Sequence, residues 1–207
     1  MNKIKKILAF TLAELLLTLA IIGVVAAVVL PAIKNLTPNT EKAMFLKAYG
    51  VFTRTVHDML NNEDLYPEDG GESGGFYLAN TDEVTFRGIT IPESDHRKFC
   101  KLFAAHLNVK GDVDCASGDH YDFETTDGIA WDLPINNFSG VNFDDPYGNG
   151  WEVLVDVNGQ EKGPNKEDED IFKFYLRPNG SIYFESNSIE EKYINESDLS
   201  LSKAEHN

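Results

Sequence analysis

The sequence predicts an α+β fold in which a long N-terminal helix packs on a small antiparallel sheet. Three observations predict it. The chain opens with a continuous apolar run from Phe10 to Leu30. Apolar residues then recur at helical spacing between positions 45 and 60, and short strand-like runs follow further along. Helices and strands segregated in this way are typical of the α+β class.

The chain has 207 residues, 42% of them hydrophobic, which suits one ordinary domain with an appendage and excludes a large multidomain enzyme. Its 34 acidic residues exceed its 18 basic residues, and the net charge of −16 argues against bulk electrostatic binding of nucleic acid. Residues 1–50 hold six basic and two acidic residues, a net charge of +4, so the remaining 157 residues carry −20. The two parts of the chain therefore face different environments.

The apolar run from Phe10 to Leu30 has the length of a membrane span. Its 21 residues would form a helix of about 31 Å, close to the roughly 30 Å of a bilayer core. Lys3, Lys5 and Lys6 precede it, which predicts a cytoplasmic N-terminus. A cleaved secretory signal is the alternative, but its apolar region is usually about 7–15 residues long. The sequence therefore favours a retained span, with the following residues across the membrane.

One charged residue, Glu14, lies inside this apolar run. An unpaired carboxylate there costs several kcal/mol or more. Glu14 could lie near the helix end, where it reaches the headgroups or stays protonated. Alternatively, it meets a cation on a neighbouring copy of the chain in an assembled state. The residues around it, KILAFTLAELL at positions 6–16, favour the second interpretation.

This string resembles the processing motif of type IV prepilins and type II secretion pseudopilins, in which a short basic leader is cut just before a Phe. The resemblance implies a cut between Ala9 and Phe10, methylation of the new Phe10 terminus, and a role in assembly for Glu14. Gly23 and Pro31 also stand where many pilins carry helix-loosening residues. The family usually has Gly at the position of Ala9, although Ala is also small.

The resemblance also implies the function and organisation of the chain. It implies a structural subunit of a type IV pilus-like or type II secretion pseudopilus filament, not an enzyme. Its partners would be copies of itself and other pilin-like subunits, a prepilin peptidase/methyltransferase and the inner-membrane assembly machinery. The chain would cross the cytoplasmic membrane once, with its N-terminus in the cytoplasm, before joining a periplasmic or extracellular filament. The predicted segments are a cleaved leader (1–9), a transmembrane assembly helix (10–33), its amphipathic second half (34–62), a globular α+β head (63–186) and a polar, flexible tail (187–207).

Helix geometry agrees with this implied role of Glu14. Phe10 and Glu14 are one turn apart, about 6 Å along the axis. In a staggered filament, the Glu14 carboxylate of one subunit could meet the Phe10 ammonium of the next. Two charges that are costly alone in an apolar core would then neutralise each other. Glu14 is therefore predicted to set the register of assembly.

The predicted helix continues beyond the span and covers residues 10 to 61. Pro31 should kink it or remove one backbone hydrogen bond, and residues 37–40 (TPNT) form a second weak point. Apolar residues then recur at three- and four-residue steps, so they define one face that packs on a head. They are Phe45, Tyr49, Phe52, Val56, Met59 and Leu60.

The head is predicted to be an antiparallel sheet packed on this second half of the helix. Residues 63–75 are typical of a loop, and residues 92–107 predict a short helix that begins at Pro92. Strand-like runs follow at 129–133, 151–156, 171–176 and 181–184. Because Pro-Asn-Gly at 178–180 is a strong turn signal, the last two runs should form a hairpin.

Cys100 and Cys115 are the two cysteines of the chain. A head outside the cytoplasm favours a disulfide between them, which would close a loop of about 15 residues and contribute ~3 kcal/mol. Two reduced thiols are the alternative. A metal site at these residues is disfavoured, because the chain combines two Cys with scattered His.

The densest polar segment, residues 156–170, partly resembles a calcium-binding loop. Oxygen-bearing side chains alternate at Asp156, Asn158 and position 160, although Glu161 stands where such a loop needs Gly. A solvated turn between two strands is the alternative. Many pilin-like proteins carry a similar string, and some secretion pseudopilins hold calcium in a loop near this place. That resemblance makes Asp156, Asn158 and Asp170 the leading ligands.

Two other functional classes stay open at this point. The chain could be a membrane-anchored extracytoplasmic binding module or adhesin, or an anchored enzyme. No Gly-rich phosphate loop, Gly-x-Ser-x-Gly or His-Glu-x-x-His occurs, so no catalytic residue can be named. Nucleic acid is a disfavoured partner, although His96, Arg97, Lys98 and Lys101 could form a local basic patch. Glu14 favours the filament subunit, because a mere anchor needs no intramembrane carboxylate.

Overall fold

The structure is a computed structural model that describes residues 12–36, 40–67, 78, 80, 82–93, 95–116, 121–134 and 150–204. These residues form an α+β fold, as predicted, with four helices, a six-stranded antiparallel sheet and a separate hairpin. The chain divides into two compact units, Met1–Thr40 and Glu41–Asn207. In chain order, the elements are α1 (Leu12–Leu36), α2 (Thr40–Leu60), β1 (Val84–Phe86), β2 (Ile89–Ile91), α3 (Lys98–His106), β3 (Val109–Lys110), β4 (Phe123–Thr125), β5 (Ala130–Asp132), β6 (Trp151–Asp156), β7 (Ile171–Leu176), β8 (Ile182–Tyr183) and α4 (Ile189–Ala204).

Helix α1 is the described part of the first unit. It has 25 residues and continues through Pro31 to Leu36. Residues 37–39 lie outside the described part of the chain, so one continuous helix over 10–61 stays a prediction. Among the described residues, no helix combines the length and the apolar character that crossing a membrane requires.

The predicted apolar face of α2 is confirmed, and it forms the centre of the head's core. Phe45, Phe52 and Met59 are fully buried along it. The ring of Phe52 lies 4.8 Å from that of Phe174 on β7 and 6.1 Å from that of Trp131 on β5, measured between centroids. Helix α2 therefore packs across the middle strands of the sheet, where burial of large aromatic side chains stabilises the fold most.

The six-stranded sheet has the strand order β3-β4-β5-β6-β7-β8, and every neighbouring pair is antiparallel. Strands β6 and β7 cover the predicted residues 151–156 and 171–176. Val153 and Val155 of β6, and Phe172 and Phe174 of β7, are buried at alternating positions, as in a sheet with one buried face. The predicted hairpin between β7 and β8 is confirmed by the pairing of Tyr175 with Tyr183. Strands β5 and β8 are shorter than predicted, and β1 to β4 were not predicted.

The predicted helix over 92–107 begins at Lys98, six residues later than expected. The reason is the side chain of Asp95, whose Oδ1 accepts a hydrogen bond from the backbone N–H of Arg97 at 2.9 Å. The same carboxylate accepts from the Lys101 ammonium at 2.6 Å. Asp95 thus holds residues 95–97 in a turn ahead of the helix, since local side-chain hydrogen bonds compete with helical ones.

The predicted flexible tail is instead a helix, α4, over Ile189–Ala204. The buried carboxylate of Glu190 accepts a hydrogen bond from the backbone N–H of Lys173 on β7 at 2.9 Å. The ring of Tyr193 lies 6.2 Å from that of Phe45 and 6.1 Å from that of Phe172. These tertiary contacts order a segment whose polar composition is typical of a frayed end. Residues 205–207 lie outside the described part.

Candidate functional site

The residues of the N-terminal motif fall partly within the described part of the chain. Ala9 and Phe10 lie outside it. Glu14 lies in the first turn of α1 and is exposed. Gly23 also lies in α1, and a Cβ atom added there would have no neighbour within 4 Å. Pro31 lies within the same helix.

Helix α1 presents apolar side chains to solvent at consecutive positions. Leu15, Leu16 and Leu17 are 51%, 61% and 61% exposed, so no single face of this stretch is set apart for a core. The pattern continues with Leu19, Ile21, Ile22, Val24 and Val25, all of them more than half exposed. An isolated soluble helix normally has one polar face. A contiguous apolar surface of this kind is uncommon in soluble monomeric proteins.

The predicted disulfide is present between Cys100 on α3 and Cys115, with Cα atoms 6.0 Å apart. The carboxylate of Asp122 lies beside it, and the ligand atoms of the three residues are within 4.8 Å of one another. Both cysteines are joined to each other, so this cluster offers one carboxylate rather than three metal ligands. Asp122 was not identified from the sequence, because no local pattern distinguishes it from the neighbouring acids.

Asp122 is a buried carboxyl with one satisfied oxygen. Its Oδ2 accepts a hydrogen bond from the backbone N–H of Leu133 at 2.7 Å, whereas its Oδ1 has no hydrogen-bond partner in the described structure. Burial is the main cause that raises the pKa of Asp122 to about 7, and the negative charges of Asp132 and Asp114 add to it. The Leu133 hydrogen bond lowers the pKa and offsets part of this increase.

The structure brings the three predicted calcium ligands together between β6 and β7. Asp156 and Asp170 are fully buried, and the Asn158 side chain donates from Nδ2 to Asp170 Oδ2 at 3.1 Å. Asp170 also accepts from the backbone N–H groups of Asn165 at 2.9 Å and Lys166 at 2.7 Å. Both oxygens of Asp170 are therefore satisfied by the loop itself.

Two other buried oxygens of this loop have no hydrogen-bond partner in the described structure, namely Asp156 Oδ2 and Asn158 Oδ1. The remaining oxygen of Asp156 accepts from the N–H groups of Asn158 at 3.1 Å and Gly159 at 2.8 Å. Burial raises the pKa of Asp156, and the nearby charges of Asp170 and Glu124 raise it further. Carboxylate and amide oxygens are the ligands that calcium prefers, so the residues of this loop fit that ion.

Three of the four residues suggested as a basic patch, Arg97, Lys98 and Lys101, are engaged by other groups of the head. Arg97 and Lys101 both form ion pairs with Asp95, at 3.0 Å and 2.6 Å. Lys98 is 1% exposed and donates to Asn80 Oδ1 at 2.9 Å, with its Nζ over the ring of Tyr66. Burial lowers the pKa of Lys98 to about 8. Because Arg97 and Lys101 share the single carboxylate of Asp95 and Lys98 is buried, about one net positive charge remains at this surface.

Comparison with known proteins gives no match to a family model, to a curated protein or to a solved structure. The function of the chain therefore has to be inferred from the N-terminal motif and from the geometry of the described residues.

Proposed function

We propose that this protein is a structural subunit of a type IV pilus-like or type II secretion pseudopilus filament. The observation that carries the proposal is helix α1, which presents exposed apolar side chains at consecutive positions and holds the acidic residue Glu14 among them. Such a surface is stable when it is covered by lipid before assembly and by other subunits afterwards. The α+β head, with α2 packed on an antiparallel sheet, suits a subunit that is displayed along the outside of a polymer.

In this proposal, a prepilin peptidase removes residues 1–9 on the cytoplasmic side and methylates the new terminus at Phe10. The inner-membrane assembly machinery then moves the subunit from the cytoplasmic membrane into the filament. The Glu14 carboxylate pairs with the Phe10 ammonium of an adjacent subunit, which fixes the register between them. The protein is the substrate of the peptidase and catalyses no reaction of its own.

Display of a binding module or adhesin by the same helix is the alternative function. It would use α1 as an anchor and would need no charge pair between neighbouring subunits. The two possibilities make different predictions about the N-terminus and about assembly, so they can be separated by direct measurement.

Mass spectrometry of the mature N-terminus tests the proposal. The purified protein should begin at Phe10 and carry one methyl group on its α-amine. A variant with Phe10→Asp should keep the leader, because the motif is lost, while a Lys3→Ala variant with the motif intact should still be processed. An intact Met1 in the unaltered protein, or cleavage near Ala26, would rule the proposed processing out.

We also propose that the loop between β6 and β7 holds a structural calcium ion through Asp156, Asn158 and Asp170. The two unpartnered buried oxygens in this loop support the proposal. When bound, the ion would neutralise a cluster of carboxylates and stabilise the head without taking part in a reaction.

Thermal melting of the full chain in detergent tests calcium binding. At a calcium concentration 100 times the dissociation constant, binding adds about 2.7 kcal/mol to the free energy of unfolding. That raises the midpoint by about 5 to 10 °C for a domain of this size. Asp156→Asn should abolish most of the increase, whereas Asp168→Asn in the exposed part of the same loop should keep it. An unchanged midpoint at millimolar calcium would exclude the site.

A further inference from the structure

A groove of about 490 Å³ runs along one side of α2 and interrupts the acidic surface of the head. Helix α2 forms its floor, and the turn between β1 and β2 and the end of α3 form its walls. It carries three permanent cations, from Lys47, Arg54 and Arg87, and one carboxylate, from Asp58. Its apolar lining comes from Leu46, Val51 and Leu107. The 157 residues after position 50 carry a net charge of −20, so this local excess of positive charge is unusual for the chain.

Two of these cations, Arg54 and Arg87, form no ion pair within the described part of the chain, although the Asp58 carboxylate lines the same groove. Arg54 is exposed and forms no ion pair with any residue in the described part of the chain. Arg87 is held in place by neutral groups, because its Nη1 donates to the carbonyl oxygen of Ala105 at 2.8 Å and its guanidinium lies over the ring of Phe86. Lys47 differs from them, since its ammonium is 2.6 Å from a carboxylate oxygen of Asp127.

The ring of His106 completes the groove with a polar atom. Its Nδ1 lies 2.7 Å from the carbonyl oxygen of Leu102, and it must donate, because that oxygen accepts. The ring stacks on Phe86 with centroids 4.6 Å apart. Arg87 and His106 are both oriented by Phe86 and by backbone carbonyl groups, so the guanidinium of Arg87 is held in place before any ligand binds.

Gly50 provides a second, independent observation. It lies in the middle of α2 and lines the groove, and a Cβ atom added there would meet nothing within 4 Å. Glycine is unfavourable in a helix interior, and the described structure gives no packing reason for it here. Elsewhere in the head the reason is visible, since a Cβ atom at Gly150 would lie 2.5 Å from the ring of Tyr183. Gly50 instead leaves room for an incoming chain to approach the helix backbone.

We infer that this groove binds an acidic segment from the head of a second copy of the chain. The inference rests on the proposed filament, in which neighbouring heads must lie side by side. Residues 51–207, which include the head, carry a net charge of −20, so heads repel one another wherever their surfaces meet at random. The groove is a place where the sign of the charge reverses, so carboxylates of the neighbour would bind Arg54 and Arg87 while its apolar residues contact Leu46 and Val51. Complementary charge of this kind selects the orientation of the contact.

Sedimentation velocity of the full chain in detergent, at low and high salt, tests this head-to-head contact. Detergent covers α1, so the association that remains comes from the heads. Arg54→Glu should weaken self-association about tenfold, and high salt should also weaken the self-association of the unaltered protein. Lys192→Glu, which changes another exposed cation, on α4, should have little effect. Equal effects of the two reversals, or no effect of either, would overturn the groove as the contact.

Gly50→Gln separates binding from folding. Gln is a better helix former than Gly, and its side chain would occupy the groove. The melting temperature should therefore rise while association falls, a combination that a purely structural role of Gly50 does not produce. Binding of a fluorescent single-stranded oligonucleotide in the groove, without self-association, would assign it to nucleic acid and contradict the proposal. If Phe10 is methylated normally but Arg54→Glu associates like the unaltered protein, the groove proposal is overturned and the filament proposal stands. If methylated Phe10 is missing, the filament proposal itself is overturned.

Discussion

Replacing Glu14 by Ala is expected to abolish filament assembly and to leave membrane association intact. In the proposed filament, the variant leaves the Phe10 ammonium of each neighbour unpaired in an apolar environment. Removing one partner of a buried ion pair typically costs about 3–5 kcal/mol, which lowers the association constant per contact by about two to four orders of magnitude. Electron microscopy of sheared material and sedimentation at high speed measure the loss.

Glu41→Ala is the matched control for this prediction, because it removes an exposed carboxylate from the first turn of α2. It should leave the number and length of filaments unchanged. Glu14→Gln keeps the size of the side chain without its charge, and it should also fail to assemble if the charge pair sets the register. Filaments of normal number and length from Glu14→Ala would refute the proposed role of the residue.

Replacing Asp122 by Asn is expected to stabilise the head at pH 8 and to reduce its pH dependence. Burial raises the pKa of Asp122 to about 7, whereas an unfolded Asp titrates near about 3.9. The folded protein therefore binds the proton more tightly, so the free energy of unfolding falls as pH rises from about 4 through about 7. The difference between the folded and unfolded pKa values corresponds to a loss of at most about 4 kcal/mol in the free energy of unfolding. Because Asn places an amide group in the same buried position, the expected net gain is about 1–3 kcal/mol.

Urea unfolding of the full chain in detergent between pH 4.5 and pH 8 measures this effect. The stability of the unaltered protein should fall across that range relative to Asp122→Asn, and the gain from Asp122→Asn should disappear or reverse at the acidic end, where only the cost of burying the amide remains. Asp112→Asn, an exposed position in the same connection, should follow the unaltered protein at every pH. Parallel curves for Asp122→Asn and the unaltered protein would show that Asp122 is not the titrating group.

Elements with long periodic patterns could be predicted from the sequence. Strand β7 alternates buried and less buried residues over six positions, and β6 does so from Glu152 to Val155; the predicted bounds of both are confirmed. The apolar face of α2 recurs at helical spacing over several turns and is buried as predicted. Strands of two or three residues, such as β3 and β4, are too short to show a period.

Helix α4 and the beginning of α3 could not be predicted, because distant contacts decide them. Glu190 binds the backbone of β7, and Tyr193 packs on rings that come from α2 and β7. The polar composition of this segment alone predicts a flexible chain end rather than a helix. Asp95 accepts hydrogen bonds from residues that follow it, so α3 begins later in the chain than predicted. The periodicity of apolar residues does not reveal these hydrogen bonds.

The candidate sites divide in the same way. The disulfide could be predicted from the sequence, because Cys100 and Cys115 are the two cysteines of the chain. The three candidate calcium ligands could be named because they share one loop; they are Asp156, Asn158 and Asp170. Asp122 was missed because its environment is created by a disulfide and by the backbone at Leu133. The groove was missed because its cations come from α2 and from the turn between β1 and β2.

The sequence by itself determined the α+β class, the N-terminal motif, the apolar face of α2 and the separation of a basic start from an acidic head. These properties depend on neighbours in the chain, through composition and period. The tertiary structure alone decided which charges are buried, paired or free. Lys98 is enclosed, Asp122 resists ionisation, and Arg54 stands without an ion pair in the described head. The physical reason is that solvation and Coulomb interactions depend on distance in space, which folding sets between residues far apart in the chain.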